Sequence, residues 1–371
     1  MKKTIAIISN RDLTKSPRID REIIALKKCY HIHLFGEIKN EDKLNKNVTF
    51  YQLYNFRTII DKVKNRFFLK KSFSKLKRHF KENKISILII HEPYFLPIAI
   101  QLKNEIGIKI IFNAHEYHPL EFEDIPGWLD KKGKEFDGLY KTYLKDIDLF
   151  INVSEGIKNK CLTEYGKDSI VIPNASYYNP IAPKLNKGNV IKMIHHGVLL
   201  PSREIEKMIE TVKRIGPRFK LDIMGLPSSS DMDYYYYLKK ITSETKNVSI
   251  IDTVPYDEII PKINTYDVGF YIMTDSSFNH KYALPNKLFE FLQAKLAIVI
   301  SPLFEMKILV EKYDIGVVSE DFSIESMVKT LNSLNIEKIN QYKDNTIKSA
   351  KTENAEHYES IFLECLNNLF D

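Results

Sequence analysis

The sequence predicts two doubly wound α/β domains, each built on a parallel sheet. Three observations carry the prediction. Short apolar, β-branched runs alternate with helical patterns over nearly the whole chain. The alternation breaks once, at a Pro-containing stretch with no apolar period, and then restarts in the same form. With 371 residues, the chain is long enough for two domains with cores of their own.

Residues 4–8 read as the first strand, apolar on both faces as a helix-covered parallel strand must be. A helix follows, because Ile19, Ile23, Ile24 and Leu26 keep helical spacing and Ser16-Pro17 supplies a cap and a first turn. Further strands read at 31–35, 87–90, 109–112, 149–153 and 169–172, each short and rich in β-branched or aromatic residues. Past Pro173-Asn174 the pattern stops. Pro180, Pro183 and Gly188 punctuate residues 176–189, which have no apolar period and mark a linker. A second series then reads at 190–194, 220–224, 248–251, 268–272, 297–300 and 315–318. Domains are therefore expected at 1–178 and 190–354, joined by a linker at 179–189. Ligands of such sheets bind at the carboxyl ends of the strands, so the cleft between two such domains is the expected site.

Composition narrows the class. No apolar run reaches membrane-spanning length, and the run after Met1-Lys2-Lys3 is too short for a signal peptide. Cys29, Cys161 and Cys365 are scattered, with no metal spacing and no disulfide framework, which fits a reducing cytoplasm. The net charge of +7 is uneven. Lys62, Lys64, Arg66, Lys70, Lys71, Lys75, Lys77, Arg78, Lys81 and Lys84 are opposed in their segment by Glu82 alone, and Leu69, Phe73, Leu76 and Phe80 keep helical spacing within it. The segment 62–84 reads as an amphipathic helix. Its cationic face suits an anionic membrane surface, at about 1 kcal/mol per well-placed cation, or plain solvent with the apolar stripe packed on a sheet. No nucleic-acid motif accompanies the patch, so no nucleic-acid partner is expected.

The chemistry should lie where strands end. Pro285-Asn286-Lys287-Leu288-Phe289-Glu290 has the marks of a helix start: Pro285 needs no N–H there, and Leu288, Phe291 and Leu292 would face a core. Glu290, one turn in and on another face, can accept two hydrogen bonds from a ribose diol, while the N–H groups at Asn286 and Lys287 attract a phosphate. In His195-His196-Gly197, the glycine removes a side chain where backbone meets phosphate, and Arg203 can neutralise a diphosphate leaving group. Gly225 is a second strand-end glycine, and Val254 can offer backbone to a base. In the first half, His115 and Glu116 follow a central strand and can handle a sugar hydroxyl or its proton. His91 and Glu92 follow another strand, and Asp12 and Arg18 flank the first strand-end loop; all four are acceptor-side candidates. His115, His118 and Glu116 lack a third ligand spacing and are not read as a metal site. There is no G-x-G-x-x-G, no P-loop and no nucleophile elbow.

With these residues in hand, the chain resembles the GT-B glycosyltransferases, in particular the retaining bacterial nucleotide-sugar transferases of family four, also called group 1. The resemblance rests on Ser16-Pro17-Arg18, Asn113-Ala114-His115-Glu116, Val153-Ser154-Glu155, Val171-Ile172-Pro173-Asn174, Gly197 with Arg203, and Pro285 to Glu290. It implies two Rossmann-like domains, a nucleotide-diphosphate sugar on the second and a glycan or lipid-linked acceptor on the first. It implies no metal or other cofactor, and a last helix, 355–371, that crosses back to the first domain through Tyr358, Ile361, Phe362 and Leu366. Glu290 would match the ribose-binding glutamate, Arg203 the cation after the glycine loop, and His115 the histidine near the donor sugar. Two positions depart from the family pattern. Tyr282 stands where a second acidic residue is usual, and Val198 where an Arg follows the glycine. Lys287 is the candidate to replace that cation. The resemblance implies transfer to a growing surface glycan, by a cytoplasmic protein at most peripheral on the inner membrane face. A nucleotide-sugar 2-epimerase of related fold, and a non-catalytic glycan- or partner-binding protein, remain as alternatives.

Overall fold

The computed structural model describes residues 2–12, 17–37, 48–52 and 66–370. They form two compact units, Met1–Pro173 with Glu359–Asp371, and Asn174–Tyr358.

The first unit is built on seven parallel strands: β1 (Thr4–Asp12), β2 (His31–Glu37), β3 (Val48–Gln52), β4 (Ile85–Ile90), β5 (Lys109–Asn113), β6 (Leu149–Asn152) and β7 (Ile170–Val171). Their order is β3-β2-β1-β4-β5-β6-β7. Strand order reverses between β1 and β4, and such a switch point opens a crevice at the carboxyl ends. Alternate strand residues Ile5, Ile7, Ile32, Leu34, Ile87, Ile89, Ile111 and Ile151 line one face. They meet Ile19 and Leu26 of the helix Pro17–Leu26, and Phe362 and Leu366 of the last helix, Ala355–Asn368. Each such side chain contributes about 1.5–3 kcal/mol on burial.

The sequence reading missed β3. It is an edge strand, paired with β2, and its half-buried Val48 to Tyr51 do not form a buried apolar run. The helix Arg66–Glu82 buries Phe73, Leu76 and Phe80 and exposes Lys75, Arg78 and Lys81. Its apolar stripe is thus spent on the protein core. Lys62 and Lys64, the side chains of Arg66, Leu69, Lys70 and Lys71, Ser16, and the side chain of Asp12 lie outside the described residues. No helix among the described residues is long and apolar enough to cross a membrane.

The second unit carries six parallel strands: β8 (Ile191–Leu199), β9 (Phe219–Pro227), β10 (Val248–Ile251), β11 (Val268–Tyr271), β12 (Ala297–Ile300) and β13 (Gly316–Val318). Their order, β10-β9-β8-β11-β12-β13, reverses between β8 and β11. β8 and β9 outrun their expected ends, pairing in register as far as Leu199 with Pro227. Residues 174–190 have no regular structure and are fastened to this unit. The Asn179 N–H donates to Gln293 Oε1 (3.0 Å), Asn264 Nδ2 to the Ala182 carbonyl (3.1 Å), and the Asn186 N–H to Asn340 Oδ1 (2.9 Å). The boundary therefore falls after Pro173. Residues 174–178, grouped with the first domain in the sequence reading, belong to the second, as do 355–358.

Candidate functional site

In the second unit the candidate residues gather where β8, β11 and the helix Asn286–Gln293 meet. Gly197 and Gly225 are not loop residues past the strands, as the sequence reading had them. They lie within β8 and β9 and pair with each other. The polar His195-His196 looked like a strand end, but the ladder continues through both. Gly197 has φ +133°, a conformation that disfavours any side chain. A Cβ placed there would stand 3.2 Å from Lys287 Nζ, so the lysine lies directly over the glycine backbone.

Lys287 is the centre of the cluster. Its Nζ donates to His195 Nε2 at 3.4 Å and sits 4.4 Å from the Tyr271 ring centroid. His195 is fully buried, stacks on Tyr271 and donates from Nδ1 to the Phe270 carbonyl (3.2 Å). That bond leaves Nε2 as the acceptor for Lys287. Burial, then the charge of Lys287, hold His195 well below the ordinary histidine range. Burial first, and the Arg203 charge second, push Lys287 down to about 7, against the opposing pull of Glu290. Arg203 follows a short turn, Pro201–Arg203, with Nη1 3.3 Å from both Tyr271 Oη and Met273 Sδ. Lys287 thus lies over Gly197 and within reach of the Arg203 charge. Val198 is half exposed.

Pro285 is the N-cap of the helix Asn286–Gln293, which has no side-chain cap on its first N–H groups. Asn286 instead takes a hydrogen bond from Asn174 Nδ2. Glu290, 5% exposed, has an oxygen 3.3 Å from His196 Nε2. The contact lacks hydrogen-bond geometry, and Nε2 has no other partner. Burial, then the Lys287 charge, lower His196 to about 3, so the pair is a neutral imidazole beside a carboxylate rather than a salt bridge. Val254 is half buried against the core of this unit. Tyr282 lies against Phe278 and Phe304.

The first unit holds a second cluster at the β1/β4 switch point. Arg18 Nη2 donates to Asn113 Oδ1 (2.6 Å), and Asn113 Nδ2 to Glu22 Oε1 (2.9 Å). Glu22 Oε2 lies 2.9 Å from His91 Nε2, and His91 Nδ1 lies 2.8 Å from His115 Nε2. Ser9 Oγ donates to Glu92 Oε1 at 2.8 Å. His91, Glu92, Glu22 and Asn113 are buried, His115 is half buried and Glu116 is exposed. Glu22 carried no role in the sequence reading. Its signal was present: Arg18 and Glu22 stand four apart on one helix face, beside the apolar stripe. His118 is buried, with Nδ1 3.0 Å from Tyr140 Oη. No group of three or more His, Cys, Asp or Glu among the described residues is placed to hold a metal ion.

Residues 28–175 match the family described as Glycosyltransferase Family 4. Solved structures share the fold over nearly full length. They include a glycosyltransferase from Rickettsia africae (TM-score 0.78, 13% identity, 100% of this chain and 99% of that one). Sucrose-phosphate synthase from Thermosynechococcus elongatus matches with TM-score 0.76 at 11% identity, covering 100% and 99%. HepE from Anabaena in complex with UDP matches with TM-score 0.74 at 13% identity, covering 99% and 100%. The chain has the GT-B fold of these structures, and the family match over residues 28–175 supports a transferase enzyme. No curated protein matches it. At such identities the structural likeness speaks for the fold, and the family match speaks for the transferase. That match falls almost wholly in the first unit and covers His91 and His115 but not Glu22.

Proposed function

We propose that this glycosyltransferase moves a sugar from a nucleotide-diphosphate donor to a growing bacterial surface glycan or lipid-linked acceptor, with retention and without a metal. The observation that carries the proposal is the cluster in the second unit: two cations, Lys287 and Arg203, beside an uncapped helix start and a glycine backbone, with Glu290 one turn away. Cations and free N–H groups suit a diphosphate, and a carboxylate suits a ribose diol. On departure the diphosphate takes the electron pair of the broken glycosidic bond, and Lys287 and Arg203 stabilise its charge. His115 and Glu116 serve the sugar or acceptor hydroxyls, with Arg18, His91 and Glu92 behind them. UDP in the HepE structure makes UDP the first nucleotide to test. We place the protein in the cytoplasm. Any hold on the inner membrane face comes through the cationic side of the helix Arg66–Glu82, since its described apolar residues are buried.

The test is thermal shift with UDP, GDP, ADP and CMP, followed by transfer assays with the matching sugars. A bound nucleotide at a hundred times its Kd stabilises by about 2.7 kcal/mol. Glu290→Gln should keep the fold and lose most of that shift for ribonucleotides. If no nucleotide shifts the wild type, the donor site is refuted. An epimerised sugar formed without acceptor would favour the isomerase instead.

A further inference from the structure

Two of the candidate donor contacts lie in order along one helix. Glu290 stands four residues past Asn286, about 6 Å along the helix axis, and the first N–H groups of that helix have no side-chain cap. With a ribose at Glu290 and a diphosphate at the helix start, a donor runs against the direction of the chain. The sugar beyond its terminal phosphate then meets the residues that precede Pro285. Tyr282 is one of them, in the connection between β11 and this helix. It is half buried and is the middle of three rings. Its centroid lies 4.8 Å from that of Phe278, tilted by 50°, and 5.5 Å from that of Phe304, edge to face at 69°. Phe278 belongs to the same connection, and Phe304 opens the helix Phe304–Tyr313 that follows β12. β11 and β12 pair in parallel up to Tyr271 with Ile300, so the two connections that carry the rings leave the sheet side by side. The cluster is open to solvent: Phe304 is 50% exposed. No described residue hydrogen-bonds the Tyr282 hydroxyl, so ring contacts rather than the hydroxyl position the side chain.

An aromatic face carries negative charge density and attracts a positive edge. The C–H bonds on one face of a pyranose ring present such an edge. We propose that Tyr282, backed by Phe278 and Phe304, is a platform for the donor sugar, so that this chain grips the sugar by a C–H face and not through a carboxylate at this position. The platform is a specificity device for the donor, and it rests on the donor site proposed above.

Isothermal titration of the full-length protein compares UDP with UDP-glucose, UDP-galactose and UDP-N-acetylglucosamine. Where GDP or ADP rather than UDP shifts the wild type, GDP-mannose or ADP-glucose takes the same place beside its diphosphate. Tyr282→Leu fills similar space without a ring face. It should weaken the tightest sugar conjugate about three- to tenfold and leave the affinity for the bare diphosphate unchanged. Tyr282→Phe, which keeps the ring, should recover most of the loss. Phe304→Ala should weaken the conjugate selectively as well. Equal weakening of conjugate and diphosphate would mean that Tyr282 only shapes the helix start, and overturns the proposal. A Tyr282→Phe as impaired as Tyr282→Leu would assign the contact to the hydroxyl, and overturns it too. If Tyr282→Leu does not fold, Phe304→Ala decides alone, because its side chain is half exposed. A wild type that binds no nucleoside diphosphate would fault the donor site and the platform with it. Normal diphosphate binding, with a conjugate indifferent to both substitutions, would fault the platform and leave the donor site standing.

Discussion

Lys287 is where charge and pH meet. Its ammonium faces His195 and the Tyr271 ring, with Arg203, His196 and Glu290 around it. Its value of about 7 puts its charge change near neutrality. His195 and His196 both sit far below that range and stay neutral through it. A terminal phosphate completes its ionisation near about pH 6, so a nucleoside diphosphate keeps its charge above pH 7. UDP affinity should therefore rise as pH falls from about 9 to about 7, where Lys287 gains its proton. Unliganded stability should move the other way. The unfolded lysine titrates near about 10.4, so between about 7 and about 10 the unfolded chain binds more protons and stability climbs with pH. Calorimetric titration and thermal melts across that range check both slopes, and Lys287→Met should flatten both. The sequence showed Lys287 and Glu290 because a Pro-Asn helix start can be read in one dimension. It did not show His195, His196 and Tyr271, whose roles come from β8 and β11 lying side by side.

A single glycine sets the position of the helix that carries these groups. A Cβ on Gly269 in β11 would meet the Phe291 ring at 2.3 Å, so the helix Asn286–Gln293 is pressed onto the strand as closely as backbone allows. Gly269→Ala must push Phe291 away, and Lys287 and Glu290 move with it. Overpacking of this kind costs about 1–3 kcal/mol. Urea unfolding should show a lower midpoint at unchanged slope, and nucleotide affinity should fall as well. Affinity that survives the destabilisation would show that the helix position is not what holds the donor. The strand cores were readable because buried parallel strands are continuous apolar runs. The edge strand β3 and the ends of β8 and β9 were not, since they are held by ladder pairing rather than by apolar content.

Across the whole molecule, the chain ends in the unit where it began. Residues 359–371 belong to the first unit, and their anchors are specific. Leu366 is fully buried and Phe362 nearly so, both in the core lined by Ile5, Ile7, Ile87 and Ile89. Tyr30 Oη donates to Asn367 Oδ1 at 2.7 Å, and the Tyr30 and Phe370 rings stack. Of the four residues the sequence offered for this return, Tyr358 stays in the second unit, where its hydroxyl donates to Glu353, and Ile361 is only half buried. A helical stripe shows that a face is apolar; which sheet it covers depends on contacts far away in sequence. Leu366→Ala should cost about 2–5 kcal/mol, as a truncated core leucine does. The loss should be local, because the cavity opens against β1 and β4. Hydrogen exchange should show faster opening of β1 and β4, with protection of β8 and β11 kept and the UDP thermal shift of the second unit retained. Equal loss of protection in both sheets would mean that the last helix stabilises the molecule as one cooperative body, and that its anchor is not confined to the first unit.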